Sequence, residues 1–237
     1  MNLHDTLETL KSLGKEQTRK TYRRHGAGED CYGVSTPDLT SLQKKIKQDH
    51  ALAGELWVSG NHEARILATM IADPKKLDGA TLDAWAASLR NYIETGYLAG
   101  LAAKSPVARE TMKRWIESDD ELTASAGWTV LSHFVLEGEL SDAEAEEALA
   151  RIERDLRGSR NRVRHQMNGA LISIGGSRPA LQEKALAAAG RIGKVEVDHG
   201  DTDCKTPDAA SYILKMAERR SAKVGTSGSR SSTSRLR

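Results

Sequence analysis

The chain has 237 residues, of which 38% are hydrophobic and only 4% aromatic, with a single phenylalanine, Phe134. A core of Leu, Ala, Ile and Val suits close helix packing and argues against an aromatic-rich β-sandwich. Charged residues make up 29% yet sum to only +2, so any charged binding surface must come from local segregation.

In chain order, the N-terminus Met1-Asn2-Leu3-His4-Asp5 has neither a basic nor an apolar leader region. No apolar run approaches the roughly 18 residues of a membrane span. The expectation is a soluble, cytoplasmic, monomeric protein with no membrane partner. Cys31 and Cys204 are too far apart in sequence to define a disulfide framework and read as reduced thiols.

Strand signals are nearly absent, and helical period runs throughout. Pro37, Pro74, Pro106 and Pro207 each follow a Ser, Thr or Asp, Pro179 lies two residues after Ser177, and all five read as first-turn residues of helices. Apolar stripes follow: Leu39, Leu42 and Ile46; Ile66, Leu67, Met70 and Ile71; then Leu82, Trp85, Leu89, Ile93 and Leu98. Met112, Trp115 and Ile116 lead to Trp128, Val130, Leu131 and Phe134. Leu149, Ile152 and Leu156 precede Met167, Leu171, Ile172 and Ile174. Trp57, Trp85, Trp115 and Trp128 fall on these stripes and read as core anchors.

A weak internal repeat joins Leu56-Trp57 and Glu63-Ala64-Arg65 to Arg114-Trp115 and Thr123-Ala124-Ser125, with a more distant copy at Arg151-Ile152 and Arg162-Val163-Arg164. Each copy is a helix, a tight turn and a second helix. The predicted fold is all-α, a HEAT-like superhelix or α-solenoid of five or six helix pairs over residues 1–220. Residues 221–237, rich in Ser, Gly and Arg, are expected to remain a disordered basic tail.

Charge is segregated late in the chain. Glu137 to Asp155 is acidic, whereas Arg157 to Lys194 carries a run of Arg and Lys with Glu183 as its one acid. Arg162, Arg164, His165 and Asn168 share the opening turns of a predicted helix, where guanidinium groups and free amides suit phosphate oxygens. These residues and Lys194 are expected to hold a nucleic-acid backbone, with Arg23, Arg24 and Arg65 as weaker candidates. The competing expectation pairs this helix with the acidic one. In the segment Asn91 to Tyr97, read as mid-helix with Ile93 toward the core, Tyr92 could stack on a base and Glu94 could act as an acid or base.

Asp198, His199, Asp201 and Cys204 are individually possible metal ligands, but no second cluster completes a site. A polar network anchoring the last helix is the preferred reading, with no metal assigned. Nothing resembles a Walker loop, a dinucleotide fingerprint or a nucleophile elbow, and no cofactor is expected.

The chain resembles the AlkD-type DNA alkylation repair family over about residues 5 to 218. The likeness rests on Tyr22-Arg23-Arg24-His25, Tyr32-Gly33-Val34-Ser35-Thr36-Pro37-Asp38-Leu39, Leu56-Trp57 with Glu63-Ala64-Arg65, and Lys104-Ser105-Pro106. It continues through Arg114-Trp115-Ile116-Glu117-Ser118-Asp119, Arg162 to Asn168 and Lys194 to Thr202. The resemblance implies a HEAT-like solenoid that grips duplex DNA on a basic concave surface and excises cationic alkylated bases. Electrostatic stabilisation by aromatic groups and a carboxylate suffices there, because the lesion is already a good leaving group.

It also implies a role at the binding cleft for Tyr22. The sequence departs from the family at three places. Tyr92 and Gly96 stand where the family has a Trp and, four residues on, an Asp. Ser125 stands at a family arginine, and Gly169 near a further family Trp. Three functions follow as expectations: a glycosylase using Tyr92 and Glu94, a non-catalytic DNA binder, or a metal-dependent enzyme or interaction scaffold centred on His199 and Cys204.

Overall fold

A computed structural model describes the backbone of residues 1–228 and the side chains of residues 1–220. Among the described residues the chain forms thirteen α-helices and no strand. They are α1 (Leu3–Leu13), α2 (Glu16–Arg24), α3 (Thr36–Ile46), α4 (His50–Val58), α5 (His62–Ile71), α6 (Gly79–Ala87) and α7 (Tyr92–Ala102). There follow α8 (Ala108–Ile116), α9 (Glu121–Glu137), α10 (Asp142–Asp155), α11 (Asn161–Ser177), α12 (Gln182–Ile192) and α13 (Ala209–Gly228). Of the predicted tail, the backbone to residue 228 continues α13, and 229–237 lies outside the described residues.

The starts follow from local chemistry. Ser35, Asp49, Asn61, Asp78 and Asn91 each accept a backbone N–H of the helix they open, and Ser141 and Glu144 form a reciprocal capping box on α10. The prolines behave less uniformly than expected. Pro37 lies in the first turn of α3, while Pro74 and Pro179 open short 3-10 turns. Pro106 and Pro207 sit just outside their helices. Asp208 takes the capping role at α13, accepting from Ser211 N at 2.9 Å.

The apolar stripe read as running from Leu82 to Leu98 is two helices. Asn91 accepts from the amides of Ile93 and Glu94 at 3.0 and 3.1 Å and starts α7 anew, so Tyr92 is its first residue rather than a mid-helix one. Ile93, expected in the core, is half-buried, while Glu94 and Thr95 face inward.

The chain divides into two compact units, residues 1–130 with 198–204, and 131–197 with 205–237. In the first, α4 packs on α5 and α6 on α7, while α5 also packs on α7 and α6 on α8. Such pairing of neighbours and of alternate helices is the pattern of stacked helical hairpins. Trp57 and Trp85 stack with ring centroids 4.4 Å apart and planes 3° from parallel. Trp115 and Trp128 are buried with them as anchors, Trp115 donating to Asp83 at 2.8 Å.

In the second unit α10 packs on α11 and α12, and α11 on α12 and α13. Leu149, Ile152, Met167, Leu171, Ile174 and Ile213 form its core. Gly176 lets α13 approach α11: a Cβ there would lie 2.7 Å from Met216 Cβ.

Candidate nucleic-acid interface

The first unit holds a buried polar cluster of which the sequence singled out Glu94 and Arg65. Helices α5 and α7 both begin with a capping asparagine, Asn61 and Asn91. These caps place His62, Arg65 and Glu94 in the opening turns of adjacent, packed helices. Glu94 is 1% exposed. One carboxylate oxygen lies 3.1 Å from His62 Nδ1; the other accepts from Arg65 Nη1 at 3.1 Å and the Arg90 amide at 3.2 Å.

Burial pushes the Glu94 carboxyl up, but the His62 hydrogen bond and the Arg65 charge outweigh it and leave its pKa below the ordinary glutamate value. Nδ1 must carry the proton that faces the carboxylate. His62 Nε2 is buried without a hydrogen-bond partner.

Arg65, expected to reach DNA, is buried. It donates to Ser88 O at 2.6 Å and Trp57 O at 3.3 Å as well as to Glu94, and its guanidinium lies over the Trp57 ring. Glu63, its neighbour but one, is buried too and accepts from the amides of Tyr32, Gly33 and Val34 at 2.9, 2.5 and 3.1 Å. That carboxylate pins the loop before α3, where Gly33 has φ 87° and a Cβ would strike Lys15 O at 2.3 Å.

Tyr22 is half-buried and donates its hydroxyl to Val34 O at 2.8 Å. Burial and the Glu63 charge push its phenol up, so it stays a donor. Tyr92 is half-buried, its hydroxyl hydrogen-bonded to His25 Nδ1. Arg23 is exposed and paired with Glu29 at 2.5 Å, and Arg24 is exposed.

The second unit sorts its cations into two groups. Arg178, Lys184 and Arg191 are paired with Asp142, Glu146 and Glu153 of the acidic helix α10. Arg157, Arg164 and Lys194 are not. Arg157 donates to Ile192 O at 3.1 and 2.6 Å and to Arg191 O at 3.2 Å, at the C-terminal end of α12. Lys194 has an 86% exposed side chain and lies 3.3 Å from Glu196.

Arg164 is half-buried, its Nε enclosed without a hydrogen-bond partner. Arg162 and His165 are half-buried on α11. Asn168 is placed differently from expectation. It is 0% exposed and donates to Pro207 O at 3.0 Å, so it ties α11 to the segment before α13 and does not face solvent.

The 198–204 loop is stitched by short-range bonds: Asp198 accepts from the Gly200 amide at 2.8 Å, and Thr202 donates to His199 O at 2.8 Å. Among the described residues no group of three or more His, Cys, Asp or Glu side chains converges to hold a metal ion. Both cysteines are free, Cys31 buried and Cys204 exposed. No helix among the described residues is long and apolar enough to cross a membrane.

The sequence profile of the family described as DNA alkylation repair enzyme matches residues 6–213. The chain belongs to this family. Uncharacterized proteins of Listeria innocua and Listeria monocytogenes are each 36% identical to it over 222 residues, covering 91% of this chain and 97% of theirs. A solved structure superposes with a TM-score of 0.86 and 31% identity, covering 93% of this chain and 95% of the other. It is described as a new family of proteins related to the HEAT-like repeat DNA glycosylases with affinity for branched DNA structures. The all-helical, HEAT-like fold predicted from sequence is thus the fold of this family member.

Within the alkylation-repair family frame, the three departures have distinct settings. Gly96, at the position of the expected acid, is an open notch: a Cβ there would meet nothing within 4 Å. Gly169 is nearly as open, with only Gln166 Oε1 at 4.0 Å. Ser125 is buried and donates to Glu121 O at 2.7 Å within its own helix. His62, Glu63 and Asn91 were given no site role by the sequence reading. The Asn91-x-x-Glu94 and Asn61-x-x-Ala64 spacings were the available signals, since a capping residue marks a helix start and hence which neighbours turn inward.

Proposed function

We propose that this member of the alkylation-repair family binds DNA through phosphate contacts from the cations of its second unit, and does so without cleaving the N-glycosidic bond. One observation carries this reading. Glu94, the carboxylate one turn from Tyr92, is buried with both oxygens engaged by His62, Arg65 and the Arg90 amide. A carboxylate held in that way is a structural ion. It cannot approach a sugar to stabilise an oxocarbenium-like charge or position a water without dismantling the cluster.

Arg162, Arg164 and Lys194 supply the phosphate-binding part of the proposal: Arg162 and Arg164 lie in the opening turns of α11, and among the described residues neither Arg164 nor Lys194 is paired with an acid of α10. Guanidinium groups bind phosphate oxygens in pairs, and their contribution to affinity is strongly salt-dependent. The structural relative's described affinity for branched DNA makes a four-way junction the first ligand to try.

The test combines a base-release assay on duplex containing 7-methylguanine with binding of a junction and of a linear duplex. The expected outcome is base release no faster than the spontaneous rate, together with salt-sensitive binding. Release above background that is lost in Glu94→Gln would instead establish the glycosylase reading with Tyr92 and Glu94. Absence of binding to either DNA would remove the proposal.

A further inference from the structure

Between the start of α11 and the end of α12 the second unit has an open recess of about 250 Å³. Its floor is apolar, formed by Leu156, Ile192 and Val195, and its polar wall consists of Arg157, Arg164, Lys194 and Glu196. We propose that this recess seats a single phosphate monoester, the terminal phosphate of a DNA strand being the form that the DNA-binding reading favours. The choice of a strand end rests on that reading; the seat itself does not.

Three features define the seat. Arg157 is fixed in advance, because its Nε and Nη2 donate to the carbonyls of Arg191 and Ile192. Its guanidinium is therefore held against the wall and loses little freedom on binding an anion. Arg164 lines the recess with a half-buried guanidinium, and guanidinium groups form charge-assisted bonds to phosphate oxygens. Lys194 is an exposed third cation on the rim, its side chain 86% exposed and 3.3 Å from Glu196.

Charge selects the ligand class. Three cations face one carboxylate, leaving two positive charges in excess at the recess. A phosphate monoester carries about −1.5 to −2 at neutral pH, whereas each backbone diester carries a single negative charge. A terminal phosphate can enter such a recess end-on; a diester, flanked by a sugar on both sides, meets only the rim. The same chemistry is offered by a strand terminus and by free phosphate, and the experiment separates them.

Calorimetric titration of the full-length protein is made with a short duplex phosphorylated at its strand ends, the same duplex with hydroxyl ends, and inorganic phosphate. The phosphorylated duplex is expected to bind about tenfold more tightly than the hydroxyl one, a single charge-assisted site's worth of discrimination. That ratio should fall to about one in Arg164→Gln and in Lys194→Gln, with circular dichroism confirming the helical fold. Should Arg164→Gln fail to fold, the exposed Lys194→Gln carries the comparison alone.

Equal binding of both duplexes by the wild type overturns the seat while leaving DNA binding intact. A preference that survives both substitutions also overturns it. If neither duplex binds but inorganic phosphate does, and Lys194→Gln abolishes that binding, the seat stands as one for free phosphate and the DNA reading falls.

Discussion

Glu94 shows how one side chain can carry opposite meanings at two levels of description. In the sequence it is the sole carboxylate near Tyr92 and Tyr97, which suggests chemistry; in the fold it is the anchor between α5 and α7. Replacing it by Ala should destabilise the protein by about 3–5 kcal/mol, because Arg65 and His62 would be left buried without their counter-charge. Denaturant unfolding of Glu94→Ala measures this directly.

Its pKa in the folded chain lies below the ordinary value of about 4.3. The stabilisation it provides is therefore complete above that pH and is lost as pH falls through the lower folded value. Glu94→Gln should be less stable than the wild type near neutrality and should show a shallower decline of stability below about pH 4.3. An unchanged acid limb in that variant would contradict the role given to the carboxylate.

Asn168 is the mirror case, a polar residue assigned to a DNA face that the fold uses internally. Asn168→Ala should cost about 1–3 kcal/mol of stability through the lost bond to Pro207 O. The salt slope of DNA binding should not change.

At the scale of elements, capping residues decided more than apolar period did. The stripe from Leu82 to Leu98 is continuous by hydrophobicity, yet Asn91 interrupts it and sets the phase of α7 so that Glu94 rather than Ile93 turns inward. Period alone could not reveal that phase, because Ile93 and Glu94 are neighbours and a 100° rotation exchanges them. A second element-level constraint is the closeness of α8 and α9. A Cβ on Gly127 would lie 2.5 Å from the Ile116 amide nitrogen and 2.9 Å from the Trp115 carbonyl carbon, both backbone atoms that cannot swing aside. Gly127→Ala is thus expected to destabilise by about 1–3 kcal/mol despite the higher helix propensity of alanine, a thermal-melting comparison that reads packing against propensity.

For the whole molecule, a net charge of +2 conceals a division of labour among its cations. The acidic helix α10 pairs with Arg178 at the end of α11 and with Lys184 and Arg191 of α12, by surface ion pairs worth little individually. The same arrangement leaves Arg164 and Lys194 outside those pairs. If Arg162 and Arg164 meet phosphate, the double variant Arg162→Ala, Arg164→Ala should weaken DNA binding and lower the slope of log affinity against log salt by about 1 to 2. An unaltered slope would place the DNA elsewhere on the protein.

Local chemistry was enough to determine that the chain is helical and that its tryptophans are anchors, because period acts over a few residues. Family likeness was equally legible, in short runs such as Tyr22 to His25 and Arg162 to Asn168. What only the tertiary structure decided was the state of each charge: Glu94, Glu63, Arg65 and Asn168 look like surface groups until residues distant in sequence close over them. Burial and partnership are relations between segments far apart in the chain, and they alone separate a cation that holds the fold together from one that can hold a phosphate.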